Sequence, residues 1–178
     1  MDARRVREVL TFALAVRVGL FIVGYTAVRL VDDSGARLGD LFFDIWNRWD
    51  APHYLRIAEV GYRDVGEDRL FLVFFPLYPL TVRAFHLVIP HYVVAGVAVS
   101  LAAAVVAGVL RYSLARLDSD DAGEPGRAVW YFFLFPTAYF LAAPYAEALF
   151  LTFVLASFLA ARKGRWGWAA VAGTLATA

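Results

Sequence analysis

The chain has 178 residues, of which 61% are hydrophobic and only 19% charged, with a mean hydropathy of +0.61. Soluble domains carry about a quarter charged residues, so this composition excludes an ordinary soluble globular domain. A net charge of +1 gives no basis for nucleic-acid binding, and the lack of cysteine excludes disulfides and thiolate metal sites without fixing a compartment.

The apolar residues fall in runs long enough for transmembrane helices, which need about 20 residues each. Length alone allows about one domain. Of the seventeen basic residues only Lys163 is not arginine, which fits a GC-rich, bacterial genome.

The first expected span covers residues 9–31, behind Arg4, Arg5 and Arg7. Its apolar stretch exceeds the 7–15 residues of a secretory signal and no small-residue cleavage site follows, so it reads as an uncleaved helix. Arg17 lies eight residues into it, about 12 Å along the axis. A charge at that depth costs about 2.5–3.5 kcal/mol, so Arg17 either faces a helix bundle or snorkels. Further spans are expected at 92–110, 128–143 and 145–161, with an incomplete one at 166–178. That last apolar run falls short of a crossing, so the sequence is expected to be the N-terminal part of a longer protein.

Residues 71–89 have the length to span but contain Pro76, Pro79, Arg83 and His86. If they lie on the surface, the cytoplasmic segments hold nine Lys/Arg against six in the loop 32–91; if they span, the balance becomes three inside and eleven outside. The positive-inside rule selects the first arrangement. Residues 32–91 are therefore expected to form one large extracytoplasmic loop, with an interfacial or re-entrant helix near 80–88 that Pro79 can start.

Within that loop stands Trp49-Asp50-Ala51-Pro52-His53-Tyr54-Leu55-Arg56-Ile57-Ala58. A helix from about Ala51 to Val60 places Asp50, His53, Tyr54 and Ile57 on one face. Asp50 has two compatible readings: a general base that takes a proton from an attacking hydroxyl, or an N-cap ahead of Ala-Pro. Asp44 is a second candidate carboxylate. Trp46, Trp49, Tyr54 and Tyr62 can stack on sugar rings or form an interfacial aromatic belt.

Arg29 and Arg83 carry guanidinium groups suited to a lipid phosphate, with snorkelling the alternative for Arg29. Tyr145 and Glu147 sit in the turn between two expected spans, on the same outer side as the loop. Glu147 is either a site carboxylate or a favourable charge near a helix N-terminus. Asp118-Ser119-Asp120 has the form of a metal-binding DxD. It falls in a turn-rich cytoplasmic loop, away from the other candidates, and the histidines lack metal-ligand spacing, so no metal site is expected.

Three segments together resemble the PIG-V-like mannosyltransferases, the family of GPI mannosyltransferase 2 within the C-type membrane glycosyltransferases (GT-C). They are the Trp49 to Ala58 segment with Gly61-Tyr62, Phe74-Phe75-Pro76-Leu77-Tyr78-Pro79, and Phe135-Pro136-Thr137-Ala138-Tyr139-Phe140 leading to Tyr145-Ala146-Glu147-Ala148-Leu149-Phe150. The resemblance implies an all-α polytopic bundle of GT-C type, whose large first extracytoplasmic loop carries interfacial helices. It implies mannose transfer, with inversion, from a polyprenyl- or dolichyl-phosphate carrier to an acceptor hydroxyl, with no obligatory metal or cofactor.

On that reading Asp50 is the base and Glu147 the second catalytic carboxylate. Trp49, His53, Tyr54, Tyr78, Arg83 and Tyr145 contact substrate. The partners are the bilayer, the lipid-phosphate sugar and an acceptor whose identity stays open. The membrane is a bacterial plasma membrane, or the ER if the source is eukaryotic. A GPI precursor is not the expected acceptor in a bacterium. The alternatives are another C-type enzyme acting on protein or polysaccharide, and a transporter or lipid flippase, which would place charges on broken helices near the membrane midplane.

Overall fold

The computed structural model describes residues 3–31, 37–119 and 124–178. Among the described residues the chain is helical, with no strand: α1 Ala3–Val31, α2 Leu38–Trp46, α3 Ala51–Val60, α4 Leu77–His86, α5 Tyr92–Asp118, α6 Glu124–Leu134, α7 Glu147–Arg162 and α8 Trp166–Ala176. Two 3₁₀ segments, Gly66–Val73 and Pro136–Leu141, interrupt the series. Among the described residues α1 and α5 are long and apolar enough to cross a membrane, over Arg7–Val31 and Tyr92–Asp118.

Helix α5 is the pillar of the molecule. Its buried residues are small over much of its length, including Ala95, Gly96, Ser100, Ala103, Ala104, Ala107 and Gly108. Small side chains let backbones approach closely where lipid supplies no hydrophobic drive. A Cβ on Gly108 would lie 2.8 Å from Cε2 of Phe133, so α6 packs directly on bare backbone there. One apolar core joins α1, α5 and α6 through Val9, Ala13, Ala103, Val129 and Phe133. A second lies beneath α2, α3 and α4 on the N-terminal part of α5, through Trp46, Leu55, Tyr78, Val82 and Val97. The outer face of α1 keeps Leu14, Val18, Ile22 and Val23 exposed, as a lipid-facing helix does.

Several element boundaries differ from the sequence expectation, and α1 already begins at Ala3 rather than at residue 9. Residues 128–143 are not one continuous span: α6 begins at Glu124, ends at Leu134 and gives way to the 3₁₀ segment. The cause is Pro136, which offers no N–H and drives Phe135 out of the helical region, to φ −59° and ψ 136°. Arg17 meets this break. It is 5% exposed, and its Nη1 donates to the Ala138 carbonyl at 2.7 Å while the guanidinium stands 5.3 Å from the Phe133 ring centroid. It therefore faces the bundle rather than snorkelling.

Helix α5 runs eight residues beyond the expected 92–110, to Asp118, where Arg162 of α7 closes a 2.6 Å ion pair. That pair uses one carboxylate of Asp118-Ser119-Asp120; Asp120 lies outside the described residues. Helix α4 starts at Leu77 rather than near Leu80. Pro79 fits its first turn because the first amides of a helix have no intrahelical acceptor to lose.

The loop between α1 and α5 is thus a helical platform. Helix α4 buries Tyr78, Pro79 and Val82 and turns Leu80 and Phe85 outward. That amphipathic division suits an element lying on a bilayer surface. Helix α3 matches its expected bounds, with Pro52 in its first turn and Gly61 closing it at φ +78°.

Candidate active site

The site is built where the α2–α3 corner meets the turn that leads into α7. Two hydroxyls join these segments. Tyr139 donates to the Ile45 carbonyl at 2.8 Å, and its ring stacks on Trp46 at 5.4 Å between centroids. The hydroxyl of Tyr145 donates to the Arg48 carbonyl at 2.9 Å and accepts the Asp50 amide at 3.0 Å. Between those two bonded groups lies Trp49, whose φ of +50° is the left-handed conformation. Such a backbone is unusual for a bulky residue and costs about 1–3 kcal/mol, which surrounding contacts must offset. The exposed indole of Trp49 rests on Tyr139 at 6.3 Å and on Phe140 at 6.1 Å.

Asp50 occupies the N-cap position of α3 in a helical conformation, and its side chain makes no capping hydrogen bond. The amides of His53 and Tyr54 are in reach of its backbone carbonyl instead, at 3.0 and 3.2 Å. The carboxylate is exposed and enters no hydrogen bond or ion pair among the described residues.

One turn on, Tyr54 packs edge-on against Phe74 at 4.9 Å and Tyr78 at 5.2 Å, and tilts toward Tyr145 at 6.3 Å. Burial first, and then the negative charges of Glu147 and Asp50, push its phenol up to about 12. Both carboxylates therefore act on the same hydroxyl, from α7 and from α3. His53 lies against Phe71 at 4.7 Å and Phe74 at 5.6 Å.

Glu147 is the first residue of α7 and is exposed. It borders two openings. One, of about 200 Å³, is walled by Leu77, Tyr78, Phe150 and the end of α8. The other, of about 420 Å³, runs past Phe140 and Tyr131 to Arg111. A carboxylate with largely apolar walls on both sides suits a substrate that joins a polar head to a hydrocarbon chain.

The structure thus gathers Trp49, Asp50, His53, Tyr54, Tyr145 and Glu147 at one end of α3. Two of the expected site residues stand apart from this group, Tyr78 adjoining it from behind and Arg83 at a distance. Tyr78 sits behind the site, 1% exposed, with its hydroxyl on the Gly96 carbonyl and Ser100. Arg83 binds the far end of α3, about 12–14 Å along the helix from Asp50. Its Nε donates to Ala58 O at 2.6 Å and its Nη2 to Glu59 O at 3.2 Å, closing the C-terminus of α3.

The side chain of Asp44 is outside the described residues. Each histidine packs on a different ring: His53 tilted against Phe71, His86 stacked on Tyr92 and His91 stacked on Phe43. Tyr139 and Phe140 support Trp49 without having been singled out for it, although both stand in the third of the resembling segments.

Comparison with known proteins assigns the chain to a family. A family model described as mannosyltransferase (PIG-V) matches residues 26–175, a stretch that includes every residue of the site. No curated protein and no solved structure matches the chain. A match over most of the chain makes it a member of the PIG-V mannosyltransferase family, and hence a glycosyltransferase.

Proposed function

We propose that this protein is a polytopic membrane enzyme of GT-C type. It transfers mannose from a polyprenyl- or dolichyl-phosphate carrier to an acceptor hydroxyl on the extracytoplasmic side, with Asp50 as general base. The observation that carries the proposal is the state of Asp50. It stands at a helix N-cap, yet its carboxylate caps nothing and pairs with nothing among the described residues. A carboxylate left open beside Trp49 and Tyr54 is available for proton transfer. The family match supports the sugar-transfer class.

In the proposed step Asp50 accepts the proton of the acceptor hydroxyl. The acceptor oxygen bonds to the anomeric carbon, and the bond from that carbon to the carrier phosphate breaks, so the phosphate leaves with the electron pair. One displacement inverts the centre. A lipid phosphate leaves as a stable anion, so the step needs no metal. The charge of Glu147 is felt at the Tyr54 hydroxyl, and Glu147 would stabilise positive charge developing on the sugar ring. Trp49 offers an exposed aromatic face for the sugar, and His53 and Tyr54 would orient its hydroxyls. The apolar openings beside Glu147 suit the hydrocarbon of the carrier. Helices α6, α7 and α8 complete the bundle around α1 and α5.

The test is transfer of labelled mannose from polyprenyl-phosphate mannose by membranes holding the full-length protein. Asp50→Asn is expected to lower transfer by about 10²–10⁴-fold at matched expression. Undiminished transfer would reduce Asp50 to a turn residue and shift the base to Glu147 or Asp44. Transfer from a different lipid-linked sugar would keep the enzyme class and change the donor.

A further inference from the structure

We infer that Tyr145 is a positioning residue: it locks the turn at residues 48–50 in a left-handed form and thereby aims the Asp50 carboxylate. The inference rests on the reading of Asp50 as the base.

Sequence position gives Tyr145 no connection to Asp50, since 95 residues separate them. The fold brings its hydroxyl to the one place where it can donate to the carbonyl before Trp49 and accept the amide after it. A hydroxyl serves both roles at once, which neither a carbonyl nor an ammonium can do. These two bonds bracket the residue with the left-handed φ. Without them the turn keeps only the bond from the Ala51 amide to the Arg48 carbonyl at 3.1 Å, against the steric preference of Trp49 for negative φ, and that rotation would swing Asp50 away from Tyr54 and Glu147.

The rest of Tyr145 is fixed. Its residue is 4% exposed, its ring packs on Phe140 at 5.1 Å, and its carbonyl lies 3.4 Å from Ser100 Oγ on α5. The clamp is therefore anchored to the central pillar. The one proton of the hydroxyl is used on the Arg48 carbonyl and an acceptor site on the Asp50 amide, so in this inference Tyr145 acts on substrate through Asp50.

Three variants of the full chain test this: Tyr145→Phe, Trp49→Gly and the double. Glycine adopts φ near +50° without strain, so it lessens the need for the clamp. The first measurement is hydrogen–deuterium exchange of the peptide containing residues 47–53. The Asp50 amide is expected to exchange at least tenfold faster in Tyr145→Phe than in wild type. The second is mannosyl transfer from polyprenyl-phosphate mannose. Tyr145→Phe is expected to lower kcat about 10–100-fold with donor KM within threefold, and to lower kcat by less than threefold when added to Trp49→Gly.

Unchanged exchange would overturn the clamp, whatever the activity does. Faster exchange with unchanged kcat would overturn its role in aiming Asp50. An equal loss of kcat in both backgrounds, or a rise in KM alone, would make Tyr145 a substrate contact instead. If wild type transfers no mannose, the donor reading falls and the exchange contrast still decides the clamp.

Discussion

The hydroxyl of Tyr78 lies 3.0 Å from Oγ of Ser100, deep between α4 and α5, and donates to the Gly96 carbonyl at the same distance. Ser100 in turn reaches the Tyr145 carbonyl at 3.4 Å. This chain of polar atoms joins the loop platform, the pillar and the turn before α7 directly behind Tyr54. Its members are buried, so each lost partner leaves a group that water does not reach.

Tyr78→Phe is therefore expected to destabilise the protein by about 1–3 kcal/mol, the usual cost of stranding buried hydrogen-bonding groups. Thermal melting of the detergent-solubilised protein measures this. A loss of donor affinity with unchanged melting would instead put the Tyr78 hydroxyl in contact with substrate.

Gly96 marks the closest approach in the same region. A Cβ there would stand 2.8 Å from Cβ of Pro144 and 3.1 Å from Cδ2 of Leu55, so α3 and the turn before α7 both press on α5 at this point. A proline ring cannot rotate out of the way. Gly96→Ala is expected to cost about 1–3 kcal/mol through overpacking. Gly19→Ala on α1 is the matched control, because nothing stands within 4 Å of its added methyl. It is expected to leave stability unchanged or to raise it by less than about 1 kcal/mol. Equal melting of the two variants would mean that the platform is not seated on α5 as described.

Much of this arrangement is legible in the sequence, for identifiable reasons. Helices α1 and α5 follow from apolar runs of membrane length. Helix α3 follows from Asp-Ala-Pro ahead of an amphipathic stretch, with Gly61 behind it. Helix α2 is written in the spacing of Leu38, Leu41, Phe42, Ile45 and Trp46, but a loop dense in polar and turn-forming residues hides it. The break at Pro136 escapes a hydropathy reading because the flanking residues stay apolar on both sides. Tyr145 is recognisable as a polar residue at a turn. Its partners are not, because no local rule links a phenol to a backbone turn that far away in sequence. Arg83 shows the same limit. Its chemistry suits a phosphate, and only the fold reveals that two of its donors are engaged on α3.

That engagement separates two roles for Arg83. Its bonds to Ala58 and Glu59 satisfy carbonyls at the end of α3, where a cation also complements the helix dipole. Arg83→Gln is expected to lower stability by about 1–3 kcal/mol. Arg83→Lys should recover only part of this, since an ammonium lacks the planar fork that spans two carbonyls. Donor KM is expected to stay within threefold in both variants. A tenfold rise in KM with unchanged melting would assign Arg83 to the carrier phosphate.

The last prediction concerns Tyr54, whose phenol rises from 10.0 to about 12 through burial first and then through Glu147 and Asp50. Below pH 10 the phenol is protonated in both folded and unfolded chains, so its titration does not affect stability. Between about pH 10 and 12 the unfolded chain releases the proton while the folded one retains it. The unfolded state then binds fewer protons, and stability falls as pH rises through this window. Burial raises the phenol of Tyr78 as well, so the informative quantity is the difference between wild type and Tyr54→Phe. That difference in melting temperature is expected to be constant up to pH 10 and to shift against wild type above it. Parallel curves up to pH 12 would show that the Tyr54 phenol ionises normally in the fold, and that the two carboxylates do not converge on it.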